Sequence, residues 1–318
     1  MATANLQLKA SFVGMQRLGD IVSNQFLRER TEALERAGHE PTTGSEAFEG
    51  RNGYTPDFLD GWGIPMPQLK EEFKDDMREL RRGGTGVELK YQNFSVIMSV
   101  TRKLPILTAV NINGAESKKV PRISVWSFDG RLDKEDQVGD SLYDNNILDR
   151  GHMVRREDPN WGDEAVTANR DTFHFTNSCP QIANINQQTW LGLENYVLSH
   201  AKSDGMMVNV YTGPVFSDQD MVYRDVQIPA AFWKVVTIVT EEGRPSATAY
   251  KISQEKELGD LEFVYSAYKT FQISIQEVID LTGIDFSTLI EFDGFTQLEI
   301  ASGQRTRRKL ESLSDIMI

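Results

Sequence analysis

Residues 148–153 read Leu-Asp-Arg-Gly-His-Met and hold two groups that could act together on a phosphate ester, Arg150 and His152, with one glycine between them. A neutral imidazole takes a proton from water near neutral pH better than a carboxylate does, and so can generate a nucleophile. A guanidinium presents a planar fork that matches two phosphate oxygens at once and can face charge developing in a transition state. On its own, the tetrapeptide Asp149-Arg150-Gly151-His152 is equally a surface turn with one solvated histidine, because four residues recur by chance. Asp149 reads as structural, orienting the turn or Arg150, and Gly151 suits a backbone that passes close to another element. The other histidines, His39, His174 and His200, stand in no comparable pattern, and His174 reads as structural on a strand over 171–177.

Residues C-terminal to the tetrapeptide give it a context. Asn177 precedes Pro180-Gln181, and Asn186 comes 34 residues after His152, with Glu194 eight residues further on. In order, spacing and residue type this set resembles the DNA/RNA non-specific endonucleases, the ββα-metal group that includes the Serratia-type nucleases and mitochondrial endonuclease G. The similarity runs from about Gly50 to about Leu289. It takes in Asn93–Ser99 and Leu107–Gly114 as paired core strands, and Val210–Phe216 and Ile228–Val235 as returning strands.

The resemblance implies an α+β fold, with a central antiparallel sheet flanked by helices. It implies that His152 is the general base and that Asn186 is the one protein ligand of a Mg²⁺ or Mn²⁺ ion. A single amide suffices because Mg²⁺ keeps several waters and takes the rest of its shell from substrate phosphate. Asparagine is also favoured at helix N-caps, a role open to Asn184 and Asn186 alike, but only Asn186 stands at the family position. Glu194 falls about 80° round a helix from Asn186, near enough to hold a metal-bound water; its alternative is a solvated helix position. Arg150 would be the transition-state cation, and Arg131 a second one ahead of the motif. Arg155, Arg156 and Arg170 could track a nucleic-acid backbone, or simply be solvated. The implied substrates are DNA and RNA, and the implied products carry 5′-phosphate and 3′-hydroxyl ends.

Composition bounds this reading. The 318-residue chain carries 34 Lys and Arg against 47 Asp and Glu, a net charge of −13 that opposes a polyanionic substrate. Residues 118–156 soften the objection, with eight basic and seven acidic side chains. The balance predicts modest affinity and marked salt sensitivity. No apolar run approaches about 18 residues, so no membrane helix is expected. The first ten residues lack the basic and apolar segments of a secretory signal, and Cys179 is the only cysteine. A reducing, cytoplasmic setting is the expectation.

The elements that must position the site can be read more coarsely. Residues 1–49 are expected to be a helical extension and linker, 50–295 the catalytic domain, and 296–318 a polar tail, basic and mobile over 302–309. Phe12, Met15, Leu18, Ile21, Val22 and Phe26 recur at helical spacing, giving residues 8–36 an apolar stripe. That stripe needs burial on the domain itself, in a homodimer, or on a regulatory protein partner. A charged helix is expected over 71–82, a strand over 122–127 and a polar loop over 132–146. The motif helix is expected over 187–201, and further strands over 206–216, 232–240, 247–253 and 270–274. A short helix over 274–283 should close on Gly283. Two rival functions remain open: a narrower or partner-triggered nuclease, and a catalytically retired binding module on the same fold. An intact set of Arg150, His152, Asn186 and Glu194 speaks against retirement.

Overall fold

The computed structural model describes residues 40–122, 125–182, 198, 201–254 and 269–310. The main sheet begins with three strands, β1 (Glu88–Tyr91), β2 (Phe94–Met98) and β3 (Pro105–Asn113). The chain then leaves the main sheet for β4 (Leu148–His152), helix α1 (Ala165–Asp171) and β5 (Ser178–Ile182). It returns as β6 (Met207–Val215), a small hairpin of β7 (Met221–Tyr223) and β8 (Val226–Ile228), and then β9 (Ala231–Val239). β10 (Pro245–Ser253), β11 (Lys269–Ile273), helices α2 (Ile275–Thr282) and α3 (Gly294–Ser302), and β12 (Arg308–Leu310) complete it.

Eight strands form one sheet in the order β12-β11-β10-β9-β6-β3-β2-β1, and every neighbouring pair is antiparallel. The α+β class and central antiparallel sheet are those the sequence implied. Both faces of the sheet are covered, which is why its middle strands are apolar almost throughout. On one face Val110, Ile112, Val208, Val210, Phe232 and Ile252 pack against Leu148, Met153, Val154 and Cys179 of the motif segment. On the other, Tyr211, Trp233 and Val235 meet Tyr54, Leu59 and Ile64 together with Val278 and Ile279 of α2. The alternation of partners along β9, with Phe232 facing one way and Trp233 the other, follows from the two-residue period of a strand. Trp233 is fully buried and its indole N–H donates to the Pro214 carbonyl at 3.1 Å, so its polar atom is satisfied.

Helix α2 ends as its sequence dictates. The Ser274 hydroxyl accepts from the Glu277 N–H, a cap worth about 1 kcal/mol, and Gly283 takes the left-handed conformation at φ 68° that closes the last turn.

Elsewhere tertiary contacts override local pattern. The charged stretch 71–82 makes only a 3-10 turn over Glu71–Asp76. There the Asp76 carboxylate is drawn off to accept from the Ser99 hydroxyl at 2.6 Å and the Thr101 N–H at 2.8 Å. The alternating Phe173, Phe175 and Asn177 do not form a strand: Phe175–Asn177 is a 3-10 turn, and pairing begins at Ser178. Asn177 itself drives the turn, since its amide donates to the Val154 and Thr172 carbonyls and accepts from the Val154 N–H. Around Trp126 the expected strand is reduced, among described residues, to one bridge between Ser127 and His174.

The polar stretch 132–146 is anchored by buried Leu132, Val138, Leu142 and Tyr143. Residues 40–49, expected as linker, join the fold: Thr42–Thr43 pairs parallel with Phe128–Asp129, and Phe48 is buried. Residues 302–309 are no free tail either. Arg308–Leu310 becomes the edge strand on β11, and Arg307 pairs with buried Glu277 at 2.9 Å. The amphipathic stretch 8–36, and most of the expected motif helix 187–201, lie outside the described residues.

Candidate active site

The site is built on the β4–β5 pair, held against one face of the main sheet. Its antiparallel register sets Asp149 opposite Gln181, Arg150 opposite Pro180, Gly151 opposite Cys179 and His152 opposite Ser178. Glycine at 151 permits a close approach: a Cβ there would lie 2.0 Å from the side-chain oxygen of the buried Gln181, whose side chain would have to shift to admit it. The expectation for Gly151 thus holds.

His152 follows at the end of the strand. Its ring sits 4.7 Å from the Trp126 ring and 5.0 Å, edge to face, from Phe173. Its Nε2 is buried and has no hydrogen-bond partner among the described residues. Burial lowers the imidazole pKa, and the nearby charges of Arg122, Arg156 and Arg150 lower it further, from 6.5 to about 3. The histidine is therefore neutral across the physiological range, with an open nitrogen among three guanidinium groups.

Arg150 lies beside it, half-buried. It is ion-paired to Asp140 through Nη1 and boxed by the faces of Tyr143 and Trp126, at 5.7 and 5.9 Å from their centroids. Arg122, not singled out by its sequence position, reaches the same place: its guanidinium sits 5.7 Å from the Phe173 ring and its charge bears on His152. Its linear neighbours carry no signal, because only the fold brings residue 122 beside residues 152 and 173. Arg156 contributes to the field but is engaged, donating to the Val120 carbonyl at 3.0 Å and Asn169 at 3.1 Å and pairing with Glu157.

The structure assigns the remaining arginines differently. Arg131 is a correction. It is 3% exposed, with Nη2 at 2.6 Å from Asp129 and Nη1 at 2.7 Å from the Lys90 carbonyl. Its guanidinium lies 3.8 Å from the Phe48 ring centroid and 4.6 Å from that of Tyr91. Burial opposes the Asp129 charge, but the Arg131 hydrogen bonds outweigh it and hold that carboxyl below its usual range. A buried guanidinium needs such pairing, and one so enclosed has no edge left for a phosphate. Arg155 pairs with Glu157 at 3.5 Å, and Arg170 is exposed in the last turn of α1. His174 is structural as expected, bonded to the Asp171 carbonyl and the Thr43 hydroxyl, each at 2.9 Å.

Asn184, Asn186 and Glu194 fall within residues 183–197, outside the described residues. The segment that carries them leaves directly from β5, whose residues pair with those of β4.

Comparison with known proteins bears on the same region. The profile of the DNA/RNA non-specific endonuclease family matches residues 78–291. A Sinorhizobium fredii protein, y4fB, is 36% identical over 297 residues, covering 85% of this chain and 43% of its own length. A nuclease of Nostoc is 26% identical over 171 residues, covering 51% of this chain and 59% of the relative. Human mitochondrial endonuclease G is 30% identical over 122 residues, 34% of this chain and 39% of that protein. The chain thus spans about two fifths to three fifths of the length of these relatives. The solved complex of EndoG with EndoGI superposes with a TM-score of 0.52 at 16% identity, over 64% of this chain and 86% of that one.

Proposed function

Since the chain belongs to the DNA/RNA non-specific endonuclease family, we propose that it is a metal-dependent endonuclease that hydrolyses phosphodiester bonds in both DNA and RNA. The observation that carries this reading is the open, buried Nε2 of a neutral His152, set among Arg122, Arg150 and Arg156. His152 takes a proton from water as that water attacks phosphorus. Arg150 and Arg122 hold the phosphate oxygens and face the charge that grows on them. Trp126 and Phe173 pack against the imidazole and hold its plane. None of these groups reads a base edge or needs a 2′-hydroxyl, which is why both sugars are accepted.

The donor chemistry of Asn186 and Glu194, an amide oxygen and a carboxylate, suits Mg²⁺ or Mn²⁺. Asn186 would hold the ion directly and Glu194 through water. When bound, such an ion stabilises charge on the departing 3′ oxygen. As the solved EndoG/EndoGI complex concerns inhibition of EndoG, a protein inhibitor is also a fitting partner class for this chain, and residues 8–36 are its candidate contact.

A base whose pKa sits near 3 is weak, and the substrate corrects this. The phosphodiester charge offsets the three arginines and raises the imidazole pKa once the complex forms, so basicity develops where it is used. The free protein should therefore show an untitrated His152. The folded pKa lies below the unfolded 6.5, so His152 favours the folded state above pH 6.5, and that contribution fades as pH falls from 6.5 toward about 3. NMR of the folded, metal-free protein should find the His152 imidazole neutral down to about pH 5. Added oligonucleotide should move its titration upward. A His152 that titrates near 6.5 in the free protein, unmoved by oligonucleotide, contradicts this account of the base.

A further inference from the structure

The β7–β8 hairpin turns on two residues, Arg224 and Asp225, with φ of 48° and 63°. Both φ values positive is the geometry of a tight hairpin turn that glycine and asparagine occupy at little cost. Arginine there is unfavourable by about 1–2 kcal/mol. The side chain shows what the residue does instead. Its Nη1 donates to the Ser141 carbonyl at 2.5 Å and the Leu142 carbonyl at 3.3 Å, and its Nη2 donates to the Asp144 carbonyl at 2.8 Å. Three carbonyls of one loop turn toward this point, and a guanidinium has the donors to serve all three at once. Asn146 ties the same loop from within, donating to the Leu142 carbonyl at 2.6 Å and accepting from the Leu148 N–H at 2.8 Å.

That loop is what holds Arg150. Asp140, at its start, is the ion-pair partner of Nη1, and Tyr143, at its centre, provides one of the two rings against the guanidinium. Among the described residues no acceptor engages Arg150 Nε or Nη2. Among the described residues, then, one end of its fork is fixed and the other has no protein acceptor.

We infer that Arg224, reaching across from the β7–β8 turn, is a positioning residue for Arg150, acting through the loop 140–146 that carries Asp140 and Tyr143. The inference rests on the reading of Arg150 as the phosphate-facing cation. Arg224 touches no reacting group. It fixes the loop, the loop fixes the end of Arg150, and the free edge of Arg150 is thereby aimed.

The test uses Arg224→Gly, which removes the guanidinium while relieving the left-handed backbone, so the turn should fold as well as before or better. Arg224→Asn, also tolerant of that backbone, replaces it if the glycine variant does not fold. Cleavage of a defined oligonucleotide is followed for the parent, Arg224→Gly, Arg150→Ala and the double variant, with melting temperatures alongside. Arg150→Ala should lower kcat by about 100-fold or more, as loss of a transition-state donor does. Arg224→Gly should lower kcat by about tenfold, within the cost of misplacing a reacting group by an ångström. Its KM should change little and its melting temperature should not fall. In the Arg150→Ala background it should lower kcat no further, because there is nothing left to aim. A parental rate for Arg224→Gly, or the same tenfold loss in both backgrounds, overturns the inference and leaves the role of Arg150 standing. Near-parental activity of Arg150→Ala itself overturns both.

Discussion

Replacing His152 by alanine is expected to lower phosphodiester cleavage by at least about 10²–10⁴-fold, the usual worth of a general base, while the protein stays folded. The fold should survive because β4 is held by its backbone register with β5 and by Met153 and Val154 in the core, not by the imidazole. The ring contributes packing against Trp126 and Phe173, and its Nε2 makes no hydrogen bond among the described residues. His152→Asn, closer in volume, separates lost basicity from a cavity between those two rings. Circular dichroism and a melting curve establish that each variant is folded before its plasmid-nicking rate is compared. A folded alanine variant that nicks near the parental rate removes His152 from the mechanism.

Chelation should have an effect of similar size. Excess EDTA is expected to silence cleavage, and Mg²⁺ or Mn²⁺ to restore it. Within residues 183–197, Asn186→Ala should weaken the restored activity far more than Asn184→Ala, because only residue 186 is offered as the ligand. Without the proposed ion, charge on the departing oxygen would go unmatched, an effect worth several kcal/mol. The comparison is read from the Mg²⁺ concentration giving half-maximal rate and from the rate at saturation. Equal losses in the two asparagine variants would place the ligand elsewhere in the segment.

Much of the scaffold could be read from the chain because its signals are local. β2, β3, β6 and β9 are short apolar runs bounded by glycine, proline or polar residues, and the structure places strands on all four. Helix α2 carries its own start and stop in Ser274 and Gly283. The motif strand could be read for a different reason: two chemical groups and a glycine occupy three consecutive residues, and the glycine has a packing explanation in Gln181. The features that escaped the sequence depend on partners far along the chain. Phe173 and Phe175 alternate as a strand would, yet Asn177 bonds to Val154 and bends the backbone into a turn. Linear spacing pointed to Arg131 as the second cation and gave no sign of Arg122. Arg131 stands nearer the motif but is claimed by Asp129, Lys90 and two aromatic rings, whereas Arg122 is exposed and bears on His152. Arg224 carried no signal at all, since its role lies in carbonyls about 80 residues away.

The acidic balance of the chain makes one measurement the most direct test of the central claim. Purified protein, at low ionic strength with Mg²⁺, is incubated with supercoiled plasmid DNA and, separately, with a structured RNA of matched phosphate concentration. Both should be cut, at rates that fall steeply as salt rises and that vanish together with EDTA. The products should carry 5′-phosphate and 3′-hydroxyl ends. Cleavage of one nucleic acid alone would contradict sugar tolerance, and no cleavage of either by the folded, Mg²⁺-supplied protein would contradict the assignment of this site as an endonuclease.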